Sequence, residues 1–100
     1  MKQRLKVLLV EDNAGDARLI QESLAEASDQ SFDLEIAETL RTGLQRLHLG
    51  GIDAMLLDLA LPDSFGMETF VRAKAQALGV AIIVLTGLAD DSLALKLVQG

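Results

Sequence analysis

The chain has 100 residues, half of them apolar, with 15 acidic and 9 basic side chains and a formal net charge of −6. That is enough chain for a single domain, residues 1–100, with its own core, and an acidic balance without a basic run speaks against nucleic acid and anionic membrane surfaces as partners. Cysteine is absent, which excludes disulfides, thiol nucleophiles and thiolate metal sites, and Phe32, Phe65 and Phe70 are the only aromatics, too few for a base-stacking platform.

The N-terminus reads MKQRLKVLLVED. Its apolar run is only about five residues long before it meets two acids, too short for a signal-peptide core. No apolar stretch approaches the length of a membrane span, so a cytoplasmic protein is expected. Leu5 to Val10 is a buried strand by composition. Gly15 lies in a polar stretch that leads into a helix from Ala14 to about Ser28, whose apolar face is Ala17, Ile20, Leu24 and Ala27. Phe32 to Ala37 alternates apolar and acidic residues, as a half-buried strand does. Thr39 can cap a second helix with face Leu40, Leu44 and Leu47, ended by Gly50 and Gly51.

Ile52 to Leu57 is a third strand, and it ends on Asp58. LALPDSFG follows as a loop, with Pro62 and Gly66 as breakers. A third helix then runs to Leu78 and stops at Gly79. Val80 to Leu85 is a fourth strand ending at Thr86. After the GLADD loop, in which Asp90 is a plausible cap, a fourth helix is expected from about Asp91 to Gln99.

Four βα units in strict alternation imply right-handed crossovers and a parallel sheet with helices on both faces. Ligands of such sheets bind beyond the carboxyl ends of the strands, where strand order reverses. Those ends carry Glu11 and Asp12, Asp58, and Thr86. If strands one, three and four are neighbours, the four side chains converge on one crevice.

Three carboxylates in one crevice repel each other unless a hard cation sits among them. Oxygen ligands without Cys or clustered His point to Mg²⁺ or Ca²⁺ rather than zinc, and few acids at strand ends suit Mg²⁺ better than a Ca²⁺ cage. A carboxylate beside such a cation can also act as a nucleophile toward phosphorus. Asp58, alone at the end of its strand, is the candidate, and Thr86 and the Gly87 N–H can donate to phosphoryl oxygens. Taken singly, each residue has an ordinary explanation. Glu11 and Asp12 can open a solvated loop, Asp58 can cap a turn, and Thr86 suits any strand. The joint placement at strand ends is what carries the functional reading. His48, near the end of the second helix, is read as a favourable contact with the helix dipole.

VLLVEDN, LLDLALPD..G and IIVLTG together resemble the receiver domain of two-component response regulators, over the whole chain. The resemblance implies a flavodoxin-like doubly wound sheet of order 2-1-3-4. It implies Asp58 as phosphoacceptor for a histidine kinase or phosphotransfer protein, and Mg²⁺ held by Asp12 directly, by Glu11 mainly through water, by Asp58 and by the backbone carbonyl of Ala60. Thr86 becomes the switch hydroxyl, with the Gly87 N–H toward the phosphoryl group, and a downstream output domain or protein is the implied partner. The activity the resemblance implies is Mg²⁺-dependent self-phosphorylation on Asp rather than turnover.

The family's fifth strand, with its lysine, and the helix that follows would lie beyond Gly100, so the chain reads as C-terminally truncated. Lys96 is not assigned that role. Without the lysine, a phosphorylation-incompetent docking or self-assembling scaffold is the alternative, and a fourth strand left as an apolar edge predicts a homodimer by pairing there. A haloacid-dehalogenase-like phosphatase is less favoured, because it requires an acid where this chain has Ala60.

Overall fold

The computed structural model describes residues 4–26, 31–86 and 94–98. The elements in chain order are β1 (Arg4–Val10), α1 (Ala14–Ala25), β2 (Ser31–Ala37), α2 (Leu40–His48), β3 (Ala54–Asp58), β4 (Ala60–Leu61), β5 (Ser64–Phe65), α3 (Met67–Gln76), β6 (Ala81–Thr86) and β7 (Ala94–Val98). The main sheet has the order β2-β1-β3-β6-β7. Its first three neighbouring pairs are parallel. The expected order 2-1-3-4 is therefore present as β2-β1-β3-β6.

Alternate residues of a strand point to opposite faces, and both faces of β1 are buried. Leu8 and Val10 join Met55 and Leu57 of β3 in a cluster with Leu40 and Leu47 of α2 and Phe70 of α3. Val7 and Leu9 join Leu56 and Leu85 in a second cluster with Ala17 and Ile20 of α1. Helices thus cover the sheet on both sides, which is why these strands read as continuous apolar runs. Gly43 lets α2 lie close on β1, since a Cβ there would stand 2.9 Å from Cγ2 of Val10. Among the described residues, no helix is long and apolar enough to cross a membrane.

Four expectations need correction. The fourth helix is not seen where it can be described: Ala94–Val98 is a strand, antiparallel to β6, with Thr86 opposite Ala94 and Ile82 opposite Val98. A short apolar run does not distinguish helix from strand by period. Here the unpaired N–H and C=O groups along β6 offer it a ladder. The consequence is a second correction: the fourth strand is not an open edge, so the basis for a homodimer through that edge falls away. Third, LALPDSFG is not a plain loop. Ala60–Leu61 and Ser64–Phe65 form a small antiparallel hairpin with Pro62 and Asp63 at its tip. The first helix also ends at Ala25 rather than Ser28. Ala27, Ser28, Gly87, Asp90, Asp91 and Gln99 lie outside the described residues.

Candidate functional site

Strand order reverses at β1, whose chain neighbour β2 lies on one side and β3 on the other. The crevice for a ligand opens there, at the carboxyl ends. Val10 pairs with Leu57, so the next residues, Glu11 and Asp58, come side by side on the rim. The Glu11 N–H donates to the Ala37 carbonyl at 2.9 Å, which carries the β1–β2 ladder one residue further. Asp12 follows. One carboxylate oxygen from each of Glu11, Asp12 and Asp58 lies within 4.8 Å of the others. The three acids singled out from sequence do converge.

Their environments differ. Glu11 is only 2 % exposed, Asp58 is half-buried and Asp12 is exposed. Glu11 Oε1 accepts from the Asn13 N–H at 3.0 Å, at the start of α1, where Asn13 Oδ1 caps the helix by accepting from the Asp16 N–H at 2.9 Å. Glu11 Oε2 is buried, and among the described residues no hydrogen-bond donor reaches it. Burial pushes the Glu11 carboxyl up to about 8; the Asn13 N–H opposes this, while a hydrogen bond and the charge of Asp58 add to it. Asp58 thus sets a second negative charge beside the buried oxygen. A cation would serve the same oxygen by supplying the missing positive charge. The donor set is wholly oxygen, two of the three acids are at least half-buried, and one oxygen lacks a partner among the described residues. These residues fit a hard divalent cation.

The segment after Asp58 is tied down on every side. The Ala60 N–H donates to Asp58 Oδ1 at 3.1 Å, which orients the carboxylate. The Gly66 N–H donates to the Leu59 carbonyl at 2.7 Å and closes the hairpin base. Gly66 has φ 75°, a left-handed conformation that glycine adopts freely, and it turns the chain into α3. Thr69, fully buried, shares a 2.8 Å hydroxyl hydrogen bond with Ser64. At the tip, Asp63 accepts from the Leu40 N–H at 2.8 Å and the Arg41 N–H at 2.9 Å.

Ala60 stands two residues past Asp58, at the start of β4. Thr86 ends β6 one step beyond Leu85, which pairs with Asp58, so its backbone reaches the same rim. Gly87 is outside the described residues. Sequence reasoning missed Asp63 and Thr69. A signal for Asp63 was available: the first turn of α2 contains no acid, and Thr39 alone leaves N–H groups there without an acceptor.

The family model described as "Response regulator receiver domain" matches residues 7–100. The KDP operon transcriptional regulatory protein KdpE of Escherichia coli (strain K12) is 36% identical over 86 residues, 86% of this chain and 36% of its own length. The transcriptional regulatory protein BasR of the same organism is 30% identical over 93 residues, 93% of this chain and 40% of its own length. The chain therefore spans well under half the length of these curated relatives. Among solved structures, the phosphorylated cyanobacterial phytochrome response regulator RcpA matches with a TM-score of 0.66 and 29% identity, covering 89% of this chain and 71% of that one. A mutant MaeR response regulator bound to sulfate matches with a TM-score of 0.72, covering 82% of this chain and 66% of that one; at 22% identity this likeness speaks to the fold.

Proposed function

The chain belongs to the response regulator receiver domain family, and from that premise we propose that it is a phosphoacceptor signalling domain in which Asp58 takes a phosphoryl group from a histidine kinase or phosphotransfer protein. The observation that carries this reading is the convergence of Glu11, Asp12 and Asp58 within 4.8 Å, with one Glu11 oxygen buried and unpartnered among the described residues.

Asp58 is the nucleophile. Its carboxylate oxygen forms the bond to phosphorus as the bond from phosphorus to the donor breaks, and the donor keeps the electron pair. The Ala60 N–H on Oδ1 fixes the carboxylate so that it need not reorient at that moment. Glu11 and Asp12, with Asp58 and the Ala60 carbonyl, are the residues that would hold Mg²⁺. When bound, that ion would neutralise the negative charge gathered between the carboxylates and the phosphoryl oxygens. In this reading the Thr86 hydroxyl and the Gly87 N–H would donate to the phosphoryl oxygens. Phosphorylation then changes which output domain or protein the chain engages, through the rim around Thr86. This reading also places the chain in the cytoplasm.

Intact mass after incubation with a small-molecule phosphodonor tests the reading, with and without Mg²⁺ and with Asp58→Asn as control. The expected result is a Mg²⁺-dependent gain of one phosphoryl group that is lost in the variant. No gain in a folded chain, or an equal gain in Asp58→Asn, refutes it; the first of these outcomes favours the scaffold.

A further inference from the structure

The first N–H groups of a helix have no acceptor within the helix and must find one elsewhere. For α2 each of the first four is accounted for. Thr39 Oγ1 accepts from the Thr42 N–H at 3.1 Å. The Thr39 carbonyl accepts from the Gly43 N–H at 3.1 Å. The remaining two, on Leu40 and Arg41, are met by the two carboxylate oxygens of Asp63. That acceptor comes from 22 and 23 positions away in the chain, at the tip of the β4–β5 hairpin. The base of the same hairpin carries Ala60, whose N–H holds Asp58 Oδ1.

The geometry points to Asp63 as a positioning residue for the acidic site: by clamping the hairpin tip onto α2, it sets the placement of Ala60 and, through it, of the Asp58 carboxylate. A plain helix cap needs no link to the rim, and Thr39 already provides a local one, including a reciprocal bond to Thr42. What Asp63 adds is a connection between two elements that the main sheet does not join directly. With tip, base and the Ser64–Thr69 bond all in place, the hairpin is held at three points. Removing Asp63 frees the tip and leaves Ala60 anchored from one side only. The effect on cation binding rests on the reading of Glu11, Asp12 and Asp58 as a cation site; the mechanical tie does not.

Titration calorimetry with Mg²⁺ alone, combined with amide exchange of Ala60 and Gly66, tests this on Asp63→Ala and on Thr39→Ala. The second variant weakens the same helix end without releasing the hairpin. Asp63→Ala is expected to weaken Mg²⁺ binding about 10-fold, the low end for a residue acting through ligand supports, and to speed exchange at Ala60. Thr39→Ala is expected to leave both close to wild type. Should Asp63→Ala fail to fold, Asp63→Asn, which keeps one acceptor oxygen, serves the same comparison with a smaller effect in the same direction. Wild-type affinity and exchange in the Asp63 variants, or equal losses in Thr39→Ala, overturn the inference and leave Asp63 as a cap. If the wild type binds no Mg²⁺, the cation reading fails. The exchange rates at Ala60 then decide the tie alone: faster in the Asp63 variant and unchanged in Thr39→Ala upholds it, and any other pattern overturns it.

Discussion

Replacing Glu11 with glutamine should make the cation-free chain more stable in alkali and nowhere else. Glu11 is 2 % exposed, and its carboxyl is pushed from 4.5 up to about 8, first by burial. Between those two values the folded chain holds a proton that the unfolded chain has released. Stability therefore falls as pH rises through this window and levels off above it. At about 1.4 kcal/mol per pH unit, the whole displacement corresponds to a ceiling of about 5 kcal/mol. Relaxation and water penetration reduce a burial cost of this kind, and roughly half of the ceiling, ~2–3 kcal/mol, is expected. Glutamine is always neutral and can donate its amide hydrogens to Asp58. Urea denaturation in chelator at about pH 5 and about pH 9 measures the effect. The two proteins should be nearly equal in acid, with Glu11→Gln ahead by ~2–3 kcal/mol in alkali. Adding Mg²⁺ in alkali should close the gap, because the wild type then gains a ligand that the variant binds less well. A gap that does not change with pH, or a variant less stable in alkali, refutes the account of a buried carboxyl that holds its proton.

Other substitutions probe the supports of the site. Gly43→Ala should cost about 1–3 kcal/mol in urea denaturation, because Cγ2 of the stiff, fully buried Val10 lies 2.9 Å from the new methyl. That outweighs the roughly 1 kcal/mol gained in helix propensity, and combining it with Val10→Ala should recover part of the interaction in a double-mutant cycle. Thr69→Val keeps the shape but leaves the Ser64 hydroxyl without its 2.8 Å partner; a loss of about 1–2 kcal/mol with an unchanged denaturant slope is expected. For Asp63, loss of some hydration opposes ionisation, but the Leu40 and Arg41 N–H groups outweigh it and hold the carboxyl below 3.8. Its stabilising contribution is present above that value and disappears as pH falls through the lower folded-state value. The gap between wild type and Asp63→Ala, about 1–2 kcal/mol near neutrality, should therefore vanish in acid.

What could be read from sequence was whatever local pattern determines. Runs such as Leu5 to Val10 and Ile52 to Leu57, each ending on acids, were enough to place Glu11, Asp12 and Asp58 on one rim, because parallel βα units allow few topologies. Thr39 was legible as a cap because its acceptor lies within its own turn. Asp63 was not, because its partners Leu40 and Arg41 stand more than twenty positions upstream, and no window of sequence relates them. The β4–β5 hairpin escaped notice because Pro62 and Gly66 announce a turn without saying that two flanking pairs will bond. The segment Ala94–Val98 was misassigned because its apolar content suits helix and strand alike. The deciding factor is the unpaired side of β6, which is a tertiary fact.

The hairpin of β6 and β7 also bears on how the chain folds. Thr86 and Ala94 pair across eight positions, whereas Val10 and Leu57 pair across 47. Closing a short loop sacrifices less chain entropy than closing a long one, and hairpins form in roughly 1–10 μs. The most apolar strand of the sheet can therefore acquire one bonded neighbour before the slower parallel pairings are in place. A half-folded chain would then show other molecules one side of β6 instead of two, at the stage of folding when strand-to-strand aggregation is most dangerous.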